Sequence, residues 1–143
     1  MDINPNTFFT CQLTADTNQS LSQGIWVTYS ITNTSAEHLS LLPWNTPLEG
    51  FMSKLFIITD EQNNQLSYQG PMVKRPLPSD QDYLMIPSGE TVTSKLDLQQ
   101  VYEIRPAQYL VSMNTKYVQV KINKQSYTIQ ICKDAKLTIN ITE

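Results

Sequence analysis

Apolar and polar residues alternate with a period of two along most of this chain, the pattern of strands with one buried face. From Ile25 to Ile31 the buried set is Ile25, Val27, Tyr29 and Ile31, with Trp26, Thr28 and Ser30 on the opposite face. Val92, Ser94, Leu96 and Leu98 alternate in the same way with Thr91, Thr93, Lys95 and Asp97. Further strands are expected in "FFTCQLTA", "SKLFIITD", "QYLVSMN", "YVQVKIN", "SYTIQICK" and "KLTINIT". The turn-rich "DEQNNQ" joins "SKLFIITD" to "LSYQG" as a hairpin, and "PSG" turns the chain ahead of Thr91. No segment holds a helical apolar period for three turns, and "LQQVYEI" has room for one turn at most. This spacing predicts an all-β fold, an immunoglobulin-like antiparallel two-sheet β-sandwich of roughly seven to nine strands. Tyr109 follows a Pro-Ala-Gln corner at a strand entrance. It fits either the tyrosine corner of such sandwiches or a core tyrosine with no special bond.

Composition narrows the possible partners. A chain of 143 residues without repeat, low-complexity stretch or linker reads as one domain spanning 1–143. The net charge is −3, and among the ten Lys and Arg only Lys74 and Arg75 are adjacent, so no footprint for nucleic acid exists. No apolar run approaches the length of a membrane span, and "MDINPNTFF" shows neither the basic start nor the apolar centre of an export signal. Cys11 lies in the first candidate strand, "FFTCQLTA", and Cys132 in "SYTIQICK", the one before the last. Cys11 shares the apolar face of Phe9 and Leu13, whereas Cys132 falls with Thr128 and Gln130, opposite Tyr127, Ile129 and Ile131. One thiol then points in and the other out, which argues against a bridge unless a bulge resets the parity.

Candidate chemistry is sparse. His38 is the only histidine and sits in the polar turn "TSAEHLSL", which reads as a solvated loop. A zinc site wants three or four ligands, so one histidine and two distant cysteines do not predict one. The four glycines sit at strand ends and turns and build no phosphate loop. Asp80 and Asp82 could contribute to a calcium site but read better as a solvated acidic loop. Asn18, Asn33 and Asn140 match the glycosylation pattern, close to chance in a chain this rich in Asn, Ser and Thr. No catalytic residue, cofactor or metal is expected.

Two segments stand out. "LLPWNTPLEGF", from Leu41 to Phe51, is too apolar for an ordinary loop and too broken by proline for a strand. A crossover bridging the sheets, with Trp44 at the kink and Leu48 and Phe51 returning to the core, is the first reading, and a partner-binding patch is its rival. From Tyr68 to Tyr83, Pro71, Pro76 and Pro78 stiffen a loop that presents Met72, Val73, Lys74 and Arg75. Such a loop loses less entropy on docking, although a stiff crossover with a solvated basic pair would look the same.

"YSITNTS", "LLPWNTPLEGF", "LFIITDEQNNQLSYQGPMVKRPLP", "DYLMIPSGETVTSKLDLQQVYEI" and "AQYLVSM" occur in that order. Together they resemble the N-terminal β-sandwich region of deuterolysin-like (aspzincin) metalloendopeptidases, over about Leu13 to Val120. The late "PSGE…L…Y…YLV" layout is also loosely similar to the intracellular proteinase inhibitor family. The aspzincin catalytic domain, with its His-Glu-x-x-His helix, has no counterpart in this chain. The resemblance therefore implies a non-enzymatic, prodomain-like sandwich that docks on a peptidase, with a zinc metallopeptidase as the candidate, and inhibits it or assists its folding. The implied protein is secreted or periplasmic and monomeric. Tyr68, Met72, Val73, Lys74, Arg75, Tyr83 and Trp44 are its expected contacts. The alternative is a secreted adhesion or surface-recognition sandwich, which an uncovered Trp26 would favour.

Overall fold

A computed structural model describes residues 8–114 and 116–143. All but Phe8 and Phe9 of the N-terminal stretch read for an export signal lies outside the described residues. Chain order gives β1 (Phe9–Thr14), β2 (Asn18–Ser20), β3 (Trp26–Asn33), β4 (Leu39–Leu41), β5 (Phe56–Thr59) and β6 (Leu84–Ile86). β7 (Thr91–Asp97), β8 (Ala107–Met113), β9 (Tyr117–Ile122), β10 (Gln125–Gln130) and β11 (Lys136–Thr142) follow. The all-β expectation holds, and the eight longer strands fall within the expected number. β2, β4 and β6, of three residues each, add to it.

Three hydrogen-bonded sheets form, in the orders β1-β3-β7, β10-β9-β4-β6 and β2-β11-β8-β5. Every pairing is antiparallel except β2 with β11. The last two sheets are linked by one long interrupted hairpin, with β8 and β9 on one arm. Its other arm is β10 and β11. Tyr117 faces Gln130 and Ser112 faces Lys136, so four residues on one arm span the same gap as five on the other. The extra residue is a bulge.

Alternation builds the core between the layers. Ile25, Val27, Tyr29 and Ile31 are each at most 1% exposed, and they join one apolar cluster with Leu39, Leu41, Phe56, Ile58, Val111, Val120 and Ile139. Local chemistry sets the turns. Asp60 Oδ1 accepts from the Gln62 and Asn64 amides, both at 2.9 Å, closing the expected hairpin after β5. Asn123 and Lys124 both take positive φ between β9 and β10, matching a two-residue turn to the strand twist. The one helical turn foreseen after β7 is a 3-10 turn at Leu98–Gln100, capped by Asp97.

The tyrosine corner is present. The Tyr109 hydroxyl donates to Arg105 O at 2.8 Å and accepts from Arg105 N at 3.2 Å. Tyr102 makes a second buried tie, donating to Phe56 O at 3.1 Å, and burial pushes its phenol up to about 12. Asn33 is fully buried; its amide donates to Glu37 O and Ile86 O, and its oxygen accepts from Ser35. That arrangement removes Asn33 from the candidate glycosylation sites.

Cys11 and Cys132 are joined in a disulfide, which overturns the parity argument against a bridge. β10 ends at Gln130, and Cys132 lies in the bulge with φ 58, a left-handed turn that breaks the alternation. Ile131 and Cys132 are consequently both buried. The buried Tyr29 hydroxyl lies 3.6 Å from Cys132 Sγ. Because the sulfur is bridged, only the hydroxyl has a proton to donate there, and burial raises its pKa.

The bridge closes a loop with a sequence separation of 121. Chain-entropy arguments put its removal at about 5 kcal/mol. Urea unfolding of Cys11→Ala/Cys132→Ala, compared with the oxidised protein, is expected to show a loss of that order. Unchanged stability would mean that the unfolded chain is not constrained by the bridge. Tyr109→Phe strips the corner of both bonds and is expected to cost about 1–2 kcal/mol by the same measurement.

Candidate partner-binding loop

The stretch after β4 is a crossover, as its apolar and proline content predicted. Leu42 N still donates to Gln119 O on β9 at 2.9 Å, after which the chain turns at Pro43–Thr46. Both the amide and the hydroxyl of Thr46 donate to Pro43 O, and Asn45 adopts φ 63. Thr46 Oγ1 then accepts from Leu48 N and starts a 3-10 turn at Pro47–Glu49. Gly50, at φ 78, turns Phe51 back into the core, where its ring meets Phe56 edge-on at 6.3 Å. The segment thus carries the chain from the β4 sheet to the β5 sheet.

It also builds a clamp. Glu49 Oε1 accepts from Asn45 N at 2.9 Å, while Oε2 pairs with an Arg75 guanidinium nitrogen at 2.7 Å. The same guanidinium lies 4.8 Å from the Trp44 ring centroid, so one cation is shared between a carboxylate and an aromatic face. Glu49's side chain is 12% exposed and Arg75's 26%, which shields the pair from solvent better than an ordinary surface pair.

Arg75 belongs to the 68–83 loop, which is tied down along most of its course. Gln69 N donates to Val101 O at 2.8 Å, and Tyr68 donates to Pro71 O at 2.7 Å while its ring packs 5.8 Å from Tyr102. A Cβ on Gly70 would sit 2.5 Å from both Val101 Cγ1 and the Tyr68 hydroxyl oxygen, so any larger residue would have to displace those side chains. Val73 N donates to Met52 O at 3.0 Å. Beyond the clamp, Asp82 accepts from Ser79 N and Oγ around a 3-10 turn at Asp80–Asp82. Asp80 pairs with Lys121, whose ammonium lies 4.7 Å from the Tyr83 ring, and Tyr83 donates to Gln119 Oε1.

The expected contact residues therefore divide. Met72, 72% exposed, Val73, 45% exposed, and Lys74 face solvent. Trp44, Val73 and Arg75 come together along an open groove of about 450 Å³ beside β9, with Pro76, Pro78 and Tyr117. Tyr68 and Tyr83 are anchors at opposite ends of the loop rather than members of that groove. Arg75 and Trp44 are occupied with each other. Sequence reasoning missed Leu77, which is 93% exposed at a bend. The signal was there in Pro76-Leu77-Pro78, which denies the loop tip both helix and ladder.

The remaining candidates resolve simply. His38 is exposed and its Nδ1 accepts from Ser88 N at 3.1 Å. Asp80 and Asp82 serve Lys121 and Ser79 respectively and share no common focus. Among the described residues no three His, Cys, Asp or Glu side chains cluster as metal ligands. Trp26 does lie outward, 37% exposed above a polar cleft. Lys95 Nζ sits 5.0 Å from its ring centroid, though, and its indole N–H donates to Gln23 O at 2.9 Å.

No known family profile matches the chain. It is similar to a protein described as an extracellular protease of Aeromonas hydrophila, 26% identical over 98 residues. The match takes in 66% of this chain and 28% of that protein, so the chain spans little more than a quarter of its relative's length. Protease-related sequence is what this similarity adds to the β-sandwich.

The Lys121 ammonium holds the Asp80 carboxyl below its ordinary value, first through the hydrogen bond and then through charge; the pairing raises Lys121 in turn. Asp80's contribution is therefore present above its unfolded value and lost as pH falls through the lowered folded one. Lys121's contribution is present below its unfolded value and lost as pH rises through the raised folded one. An NMR titration of Lys121→Met is expected to return Asp80 towards 3.8. An unmoved Asp80 in that variant would show that the pair does not form in solution.

Proposed function

We propose that this chain is a non-catalytic binding domain that docks on a peptidase in the manner of a protease prodomain and restrains its activity. The observation that carries the reading is the 68–83 loop, fixed at both ends to the sandwich yet exposing Met72, Val73 and Leu77. Ordering before binding leaves less entropy to lose on docking, which is what a tight inhibitor requires. The similarity to an extracellular protease supports a peptidase as the partner chosen in this reading. A zinc metallopeptidase of the deuterolysin-like kind is the narrower choice that the sequence resemblance suggests.

The compartment follows the same line. A disulfide persists in oxidising surroundings, and the similar protein is extracellular, so both features fit a secreted protein. Among the described residues no helix is long and apolar enough to cross a membrane. We take the domain to act as a monomer. The rival reading, a surface-recognition module built on Trp26, is weakened by Lys95, which occupies the ring a ligand would stack on.

The test is enzymatic. Purified protein is added to the active extracellular protease of Aeromonas hydrophila, and casein hydrolysis is followed. Micromolar affinity predicts that activity falls by about half or more at about 10 µM protein. A rise in the yield of peptidase refolded from denaturant, with rates unchanged, would redefine the domain as a folding aid. If neither rates nor yields respond, the docking reading fails.

A further inference from the structure

Resting on that docking reading, we propose that the tip Pro76-Leu77-Pro78 is the element that enters the peptidase, with the Leu77 side chain filling an apolar side-chain pocket of the cleft. Arg75 is then a positioning residue rather than a contact. Leu77 is the most exposed of the large apolar residues, at 93%, and the described residues give it no hydrogen bond. A single exposed leucine is ordinary. This one stands at a bend, with Met72 and Val73 on the same loop and Met52 bonded to Val73, all of them exposed. A convex tip with one protruding aliphatic side chain is matched by a concave apolar pocket, and a flat partner would leave it half in water.

Two further features separate an occupant of the cleft from a substrate. Pro76 and Pro78 bias Arg75 and Leu77 to extended backbone, the conformation in which clefts that bind peptide strands accept a chain. The bond after Leu77 runs into a proline nitrogen, which has no N–H to offer. The tip is also braced on both sides, by Arg75 against Glu49 and Trp44 and by the Ser79–Asp82 box. Charge agrees with this assignment. Glu49 pairs with Arg75, and among the described residues Lys74 makes no ion pair, three positions before Leu77.

The experiment compares wild type, Leu77→Asp, Leu77→Met and Glu49→Gln for inhibition of the Aeromonas hydrophila extracellular protease, with urea midpoints as the control for folding. Leu77→Asp is expected to weaken inhibition by about tenfold or more with an unchanged midpoint, and Leu77→Met to stay within about threefold of wild type. Glu49→Gln frees Arg75 while leaving Leu77 in place. It is expected to inhibit at first and then to be cut between residues 71 and 79, as seen by mass spectrometry. Wild-type inhibition matched by Leu77→Asp would overturn this proposal and leave the docking reading standing. Absence of wild-type inhibition would remove this proposal, and would remove the docking reading as well if the refolding yield of the peptidase is also unmoved. A Glu49→Gln variant as durable as wild type would overturn the positioning role of Arg75.

Discussion

The covalent tie between Cys11 and Cys132 is the constraint on which the two-layer arrangement rests. Among the described residues no hydrogen-bonded ladder joins the β1-β3-β7 sheet to either of the others. Side-chain packing and a few side-chain hydrogen bonds, such as Asn33 to Ile86 O and Gln19 to the Trp26 backbone, would otherwise hold the layers together, and β1 is an edge strand that pairs with β3. The bridge fastens that edge to the bulge of the long hairpin opposite, beside the buried Tyr29. Packing supplies most of the folding free energy. The bond acts differently, by limiting how far the unfolded chain can separate strands that lie at opposite ends of the sequence.

A fixed sandwich gives the 68–83 loop something to be fixed to. Ordering a residue's backbone costs about 1–2 kcal/mol, so a loop of this length would not hold one course on a single ion pair worth about 1 kcal/mol. Two effects close the gap. Pro71, Pro76 and Pro78 have already narrowed the unfolded ensemble, which reduces what ordering must overcome. Bonds then recur along the loop, from Gln69 to Val101, Val73 to Met52, Arg75 to Glu49, Ser79 to Asp82 and Asp80 to Lys121. The interval from Pro76 to Pro78 is what these ties leave free.

Much of this was legible in the sequence because it follows from short-range rules. The buried faces of β3 and β7 are period-two patterns, and the single helical turn after β7 follows from its lack of a longer apolar period. Pro43, Pro47 and Gly50 marked the crossover. What escaped depended on groups far apart in the chain. Strand parity assigned Cys132 to the outer face because nothing in "QICKDAK" announces a left-handed residue at a cysteine. Arg75 looked like the twin of Lys74, since the carboxylate and ring that capture it lie on another loop. Leu77 was passed over for a related reason: whether a leucine in a loop is covered depends on what the rest of the fold brings near it, and here it stays 93% exposed.

Separating Lys74 from Arg75 changes what the loop must do. A domain that presents an unpaired segment to a peptidase is exposed to cleavage at that segment, and a basic residue at the surface invites it. Of the two cations, the one followed by proline is also the one drawn into a clamp, so its backbone is both chemically and mechanically poor as a substrate. Clamping requires Glu49 to be oriented, which the Asn45 amide does, and Asn45 is presented by the left-handed turn that Thr46 and Pro43 close. The apolar, proline-broken crossover and the proline-rich loop are on this account one device. The first builds the jaw from Trp44 and Glu49, and the second supplies the arginine that it holds.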